Sequence, residues 1–256
     1  VDYYNIAVTD RIILSSEIGG TSTGTTALDD ILTSNNLSDL SFFVNAMDTR
    51  TSGLDFVASY RGVDVGTGKM NFNLSGNITL QNERESDVIN PDIVNQANEG
   101  LAIEDQQSVS NATQEGLFFT SRPAFKIIFG VEYNVGKFGF NLNNTVFGPT
   151  KFKQQGLDAN LYTEFETKVV TDLGITFQAS EKVTVSINAN NLLNVLPEWS
   201  FKSENAVGDA LLNDEAYLMN QSNLITFNQR YSQMTYDGYH FSQLGTILTA
   251  AVNVKF

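Results

Sequence analysis

Apolar side chains recur at every second position through most of this chain. Leu248, Ala250, Val252, Val254 and Phe256 fall on one parity, and Thr249, Ala251, Asn253 and Lys255 on the other. That is the period of a β-strand with two unlike faces. The same alternation sets Val183, Val185, Ile187 and Ala189 against Thr184, Ser186, Asn188 and Asn190, and Leu173, Ile175 and Phe177 against Asp172, Gly174, Thr176 and Gln178. It recurs in Phe138, Phe140 and Leu142, in Phe125 to Tyr133, and in Met70, Phe72, Leu74, Ile78 and Leu80. Two further strands, from Tyr4 to about Leu14 and from about Leu40 to Tyr60, carry Asp10, Asp48 and Arg50 on the apolar parity. These are expected to project beyond a hydrocarbon layer. The pattern predicts about eight strands.

The connections sort by length. GVDVGTG, NVGK and ASEK are short and turn-like, whereas stretches near 19–39, 84–120, 151–163 and 196–243 are longer and polar. Short turns at one end alternating with long loops at the other is the organisation of a transmembrane antiparallel β-barrel. Pro91, Pro123, Pro149 and Pro197 fall in loops or at strand ends, where no ladder hydrogen bond is lost. Tyr60, Tyr133, Phe138, Phe177 and Phe256 lie beside the short turns or the C-terminus, where an interfacial aromatic girdle would sit. A soluble all-β sandwich is the rival architecture. Its outer face would be rich in Lys and Glu, yet the polar parity here is Asn, Ser, Thr and Gly, suited to a watery lumen.

Composition narrows the chemistry. Cysteine is absent, so neither disulfides nor a thiolate site is available, and His240 is the single histidine. A formal charge of -14 with 15 Lys and Arg argues against a nucleic-acid partner. No apolar run is long enough for a spanning helix, but barrel strands need only every second residue apolar, and a mean hydropathy of -0.14 allows that.

Several segments, in order, resemble the C-terminal barrel region of TonB-dependent receptors, particularly those of Bacteroidetes-type bacteria. DYYNIAVTDRIILSS is similar to a family strand with an aromatic pair and a DRI turn. NAMDTRTSGLDFVASYRG and RPAFKIIFGVEYNVGKFGFNLNNTVFGP resemble further strands and a hairpin of that barrel. The most specific piece is KVVTDLGITFQASEKVTVSINANNLLNVLPEW, with its T-D-L strand and N-N-L-L-N-V-x-P ending; RYSQMTYDGYHFSQLGTILTAAVNVKF resembles the terminal segment down to Phe256. The resemblance implies that residues 1–256 are about the last eight strands of a 22-strand barrel, with an N-terminal plug outside this chain. An autonomous eight-stranded barrel is the alternative closure.

The resemblance implies nutrient import across the outer membrane, of an iron chelate, cobalamin, a glycan or a peptide. A passive porin and a scaffold or partner-binding barrel are the other readings. Implied partners are outer-membrane lipid and lipopolysaccharide, the TonB complex through the plug, the barrel-assembly machinery through Phe256, and a surface lipoprotein. No cofactor, metal or enzymatic activity is expected, since no nucleophile and base can be paired.

Candidate site residues are few. Trp199, Phe201 and Tyr217, with Phe227, Tyr231 and Tyr236 nearby, would stack on a sugar or aromatic ligand, or else pack against neighbouring loops. Substrate selectivity is accordingly expected in 84–120 and 196–243. The acidic run from Glu83 to Glu115 reads as cation capture or simply as a solvated loop. Glu164, Glu166 and Asp172 are expected on one strand with Lys168, balancing charge in a lumen. Carboxylates on one strand face the same side of any substrate, unlike a glycosidase pair. Asn190, Asn191 and Asn194 are expected to end a strand.

Overall fold

The computed structural model describes residues 1–21, 24–154, 156–225 and 241–255. Among these, thirteen strands follow in chain order: β1 (Asp2–Leu14), β2 (Ile18–Gly19), β3 (Asp39–Leu40), β4 (Phe43–Val65), β5 (Gly68–Arg84), β6 (Phe125–Val135), β7 (Phe138–Phe147), β8 (Thr150–Phe152), β9 (Leu161–Phe165), β10 (Lys168–Gln178), β11 (Val183–Asn190), β12 (Trp199–Ser203) and β13 (Ile247–Val254). Eight of them form one sheet in the order β1-β4-β5-β6-β7-β10-β11-β13. The expected count of eight holds. β1 and β13 are the edges of this order and do not pair with each other, so the described sheet is not a closed eight-stranded barrel.

Short and long connections alternate without exception along that sheet. β4 and β5 are joined through Gly66 and Thr67, β6 and β7 through Gly136 and Lys137, and β10 and β11 through 179–182. Gly66 and Gly136 have φ of 58° and 57°. A positive φ at the first of two turn residues is what the primed hairpin turns demand, because their twist matches that of the strands. The DRI segment, expected to turn, instead continues β1, and Asp10 takes up a φ of 52° within the strand. Its backbone N–H donates to the Asp48 carboxylate at 2.8 Å.

Two compact units divide the chain: residues 1–3, 53–80 and 120–256 form one, and residues 4–52 and 81–119 the other. In the first, cross-strand register carries one apolar face over six strands. Phe72 pairs with Val131, Val131 with Leu142, Leu142 with Leu173, Leu173 with Ala189 and Ala189 with Leu248. A neighbouring row runs Met70, Tyr133, Phe140, Ile175, Ile187 and Ala250. Asn71, Glu132, Asn141, Gly174, Asn188 and Thr249 make the corresponding row of the opposite face. Because the side-chain period is two, a slip of one residue in any pair would break both rows.

The apolar face has no core behind it. Phe129, Ile187 and Val252 are 43%, 54% and 64% exposed, and among the described strands of this sheet within the unit only Val170 and Ala189 are buried apolar residues. Such a continuous uncovered apolar surface is what a hydrocarbon environment requires. At the short-turn end Tyr133, Phe138, Phe140 and Phe177 cluster, with Phe138 and Phe177 centroids 4.9 Å apart, and the Tyr133 hydroxyl donates to the Val65 carbonyl at 3.1 Å. Tyr133, Phe138 and Phe177 of the expected girdle gather here with Phe140, whereas Tyr60 stands exposed on β4 and Phe256 lies outside the described residues.

The second unit has a core of its own. Ile13, Ile18, Leu28, Leu32, Met47 and Val94 are among its buried members, with Phe118 and Phe119 packed against it. Expected as a polar loop, 19–39 contains helix α1 (Ala27–Ser34), and 84–120 contains α2 (Asp92–Ala97) and α3 (Ala112–Glu115). A capping box starts α1: the Thr26 hydroxyl accepts from the Asp29 N–H, and the Asp29 carboxylate accepts from the Thr26 N–H. Asp29 also takes the Thr21 N–H and hydroxyl at 2.7 and 2.6 Å, which holds its carboxyl well below the ordinary range. Arg50 and Asp48, on the wrong parity for lipid, are engaged here: Arg50 with Glu85 and Asn5, Asp48 with Asp10 and the Ser86 hydroxyl.

The face assignment predicts an asymmetry in stability. Leu142→Arg should cost about 2 to 4 kcal/mol, with Asn141→Arg near neutral, read from denaturant unfolding of the full-length protein in lipid. Equal costs at the two positions would contradict it.

Candidate functional site

The polar face of β5, β6, β7, β10 and β11 is built from amides laid over glycines. A Cβ on Gly130 would meet the Asn143 side-chain oxygen at 2.6 Å, one on Gly139 the Thr176 hydroxyl at 2.5 Å, and one on Gly174 the Asn188 oxygen at 2.9 Å. The glycines therefore give neighbouring polar side chains room to lie flat along the wall. Asn143 donates to the Asn141 oxygen at 2.9 Å, and Asn71 donates to the Glu132 carboxylate at 3.2 Å. Two adjoining hollows open on this face, of about 340 and 210 Å³, sharing Asn141, Gly174 and Asn188.

Beside Asp172 the NANNLLN segment ends β11. Asn191 and Asn194 adopt φ of 51° and 53°, a conformation asparagine tolerates better than other side chains. The Asn191 N–H donates to Asp172 at 2.7 Å, its side chain exchanges hydrogen bonds with the Val195 backbone, and its carbonyl accepts from the Thr246 hydroxyl. These bonds tie the ends of β10, β11 and the approach to β13.

Glu164 is not on the same strand as Asp172. β9 ends at Phe165 and β10 begins at Lys168, because Glu164 belongs to a separate three-stranded sheet ordered β12-β9-β8. Lys168 is ion-paired with Glu198 at 2.5 Å and Glu166 at 3.5 Å. The expected loop at 151–163 and the first part of that at 196–243 fold around this small sheet. β9 alternates buried Leu161, Thr163 and Phe165 with outward Tyr162 and Glu164. α4 (Ala206–Leu211) and α5 (Glu215–Ile225) complete the layer, and Leu157, Leu161, Phe165 and Ile225 form its core.

Trp199, Phe201 and Tyr217 all pack against that core, so the structure brings together three residues singled out from the sequence. The Trp199 and Phe201 rings meet edge to face with centroids 5.2 Å apart. The Tyr217 hydroxyl donates to Asp158 at 2.6 Å, and the Asp158 N–H donates to the Gln221 side-chain oxygen at 2.9 Å. The Tyr217 bond, with the Asn160 N–H, lowers the Asp158 carboxyl from its ordinary range and raises the Tyr217 hydroxyl. Phe227, Tyr231, Tyr236, His240 and Phe256 lie outside the described residues. In the acidic run, Glu85 pairs with Arg50 and Glu115 lies 3.7 Å from Arg84. No group of three or more His, Asp or Glu able to hold a metal ion occurs among the described residues.

Residues 1–192 of the 256 match the family model described as TonB dependent receptor-like, beta-barrel. The chain belongs to that family. No curated protein and no solved structure matches it. TonB-dependent receptors are outer-membrane transporters rather than enzymes, and the apolar and polar rows of this receptor's sheet are those of a strand set resident in that membrane. Among the described residues no helix is long and apolar enough to cross a membrane, which says nothing of strands.

Asp158 gives the loop fold a pH signature with a fixed sign. A carboxyl lowered in the folded state contributes stability above its unfolded value and loses it as pH falls through the folded one. Limited proteolysis of α5 should therefore stay slow through the ordinary carboxylate range and accelerate only below it. Tyr217→Phe and Asp158→Asn should each raise the neutral-pH cleavage rate and flatten this dependence. Cleavage indifferent to both substitutions would contradict the assigned role.

Proposed function

We propose that this chain supplies part of the wall of an energised nutrient importer, with the amide face of β5 to β11 as the ligand path. The observation that carries the reading is the register. It keeps an apolar row on one face over six strands, and on the other a row of polar side chains interrupted only by Gly174. Energy enters through TonB and a plug domain, as membership of the family implies. In this reading the chain carries no catalytic role. Lipopolysaccharide meets the outer end of the apolar face, the barrel-assembly machinery inserts the barrel, and a surface lipoprotein is the partner proposed for the loop folds.

Trp199, Phe201 and Tyr217 enter this proposal as residues that shape the substrate-facing loops. Two observations support a shaping role over a stacking one: all three lie against the Leu161 and Phe165 core, and the Tyr217 hydroxyl is already engaged by Asp158. Substrate then meets the surface that this core holds in place.

Uptake by cells carrying the full-length receptor tests the reading, with a ferric chelate, cobalamin, an oligosaccharide and a peptide as labelled probes. Receptor-dependent uptake of at least one probe, abolished when TonB is deleted, is the expected result. Purified receptor in a planar bilayer should show no steady open conductance. Steady conductance with uptake indifferent to TonB would make the protein a passive porin instead.

A further inference from the structure

Along β5, β6, β7, β10, β11 and β13 of the first unit, every residue on the lipid-facing parity is apolar, aromatic or glycine except two. Those two, Asn144 and Thr171, are cross-strand partners. They do not lie at a rim. On the turn side stands the row of Val131, Leu142 and Leu173, on the outer side the row of Ile127, Val146 and Val169, and Phe129 is the other neighbour of Asn144. Phe129, Leu142 and Val169 are exposed, so the pair sits in open apolar wall rather than in a core.

The pair is only half satisfied. The Thr171 hydroxyl donates to the Asn144 side-chain oxygen at 2.8 Å, and Thr171 itself is buried. The two N–H donors of the Asn144 amide remain, and among the described residues nothing accepts from them. Asn144 is half-buried, and its nitrogen is not sealed within the wall. An unmatched amide in hydrocarbon is costly, so the pair calls for an acceptor from outside this wall.

Depth restricts what that acceptor can be. Val146 and Val169 stand two residues further out along their strands, which at barrel tilt is about 5 Å nearer the membrane surface. Water is scarce beneath such a row. The acceptor is therefore an oxygen carried below the hydrocarbon boundary. A glycerophospholipid keeps its ester oxygens at that boundary. Lipids with a hydroxyl or acyloxy group a few carbons down the chain, as in lipopolysaccharide, place one deeper.

We infer that Asn144 and Thr171 form a binding site for an oxygenated acyl chain of an outer-leaflet lipid. Asn144 donates to the hydroxyl or acyloxy oxygen, Thr171 fixes the orientation of the amide, and Phe129, Leu142 and Val146 carry the methylenes. The inference rests on the proposed contact between lipopolysaccharide and the outer end of the apolar face, and gives that contact a specific pair of residues.

Native mass spectrometry of the purified full-length receptor in detergent, titrated with lipid A or with phosphatidylglycerol, tests the site. Asn144→Leu extends the apolar wall and should assemble like the parent, with heat-modifiable gel mobility as the control. Thr171→Val, which frees the amide to turn away, is the second variant. Lipid A should bind the parent about fivefold more tightly than Asn144→Leu, the loss of one hydrogen bond, with Thr171→Val in between and phosphatidylglycerol indifferent to both. Equal lipid A binding by parent and folded variants would overturn the site while leaving the lipopolysaccharide contact in place, and no lipid A binding by any of them would remove both. An equal loss of phosphatidylglycerol, or a receptor dimer that Asn144→Leu dissociates, would also overturn it, the second by showing the occupant to be another copy.

Discussion

The structure depends on an unbroken antiparallel ladder whose register carries continuous apolar rows across six strands on one side. In water this arrangement would be self-defeating, because the apolar rows have no second layer to bury against. In a bilayer it is the stable solution: backbone groups are satisfied strand to strand, and the apolar rows meet hydrocarbon. Other features follow from holding that register. Tight glycine turns at 66 and 136 set the pairing of two hairpins, and the Tyr133, Phe138 and Phe177 cluster marks the turn end. The bonds of Asn191 to Asp172 and Thr246 fasten the other end of the last strands.

A sheet without a core leaves its long connections without support, and connections of this length do not stay ordered unaided. Each described set solves this by burying a few large apolar side chains of its own, Ile18, Leu28 and Met47 in one unit, Leu161, Phe165 and Ile225 in the other. Side-chain amides then do what regular ladders do elsewhere. Gln107 both donates to and accepts from the Gly19 backbone, and Asn98 does the same with the Gln107 backbone. The asparagine content of the chain thus serves two ends, wall chemistry in the strands and backbone substitution in the loops.

The strands were legible because lipid imposes a strict period of two, which survives even where Asp48 and Arg50 interrupt it. The loop folds were not. A helix of eight residues such as α1 shows only Leu28 and Leu32 on its buried side, too short a run to stand out from a polar loop, although the Thr26 to Asp29 capping box was a usable sign. The β9 strand was hidden because its alternation, Leu161, Thr163 and Phe165, lies almost directly before that of β10, so two strands of different sheets read as one. The sequence brought Trp199, Phe201 and Tyr217 into view as aromatics without saying what they faced. Their partners Leu161, Phe165 and Asp158 are 34 to 59 residues away, beyond the reach of any local pattern. The glycine-floored hollows were equally invisible, since they arise from the pairing of Gly139 with Thr176 and Gly174 with Asn188 across strands.

The central claim is the sorting of faces, and these 256 residues hold no cysteine to compete with one introduced into them. Single cysteines placed in turn at residues 139 to 144 of the full-length receptor, spin-labelled in outer-membrane vesicles, report collision with oxygen in lipid and with a water-soluble nickel chelate. The account predicts a period of two, with Phe140 and Leu142 in the oxygen phase and Gly139, Asn141 and Asn143 in the chelate phase. The opposite phase, or no alternation along β7, would contradict it.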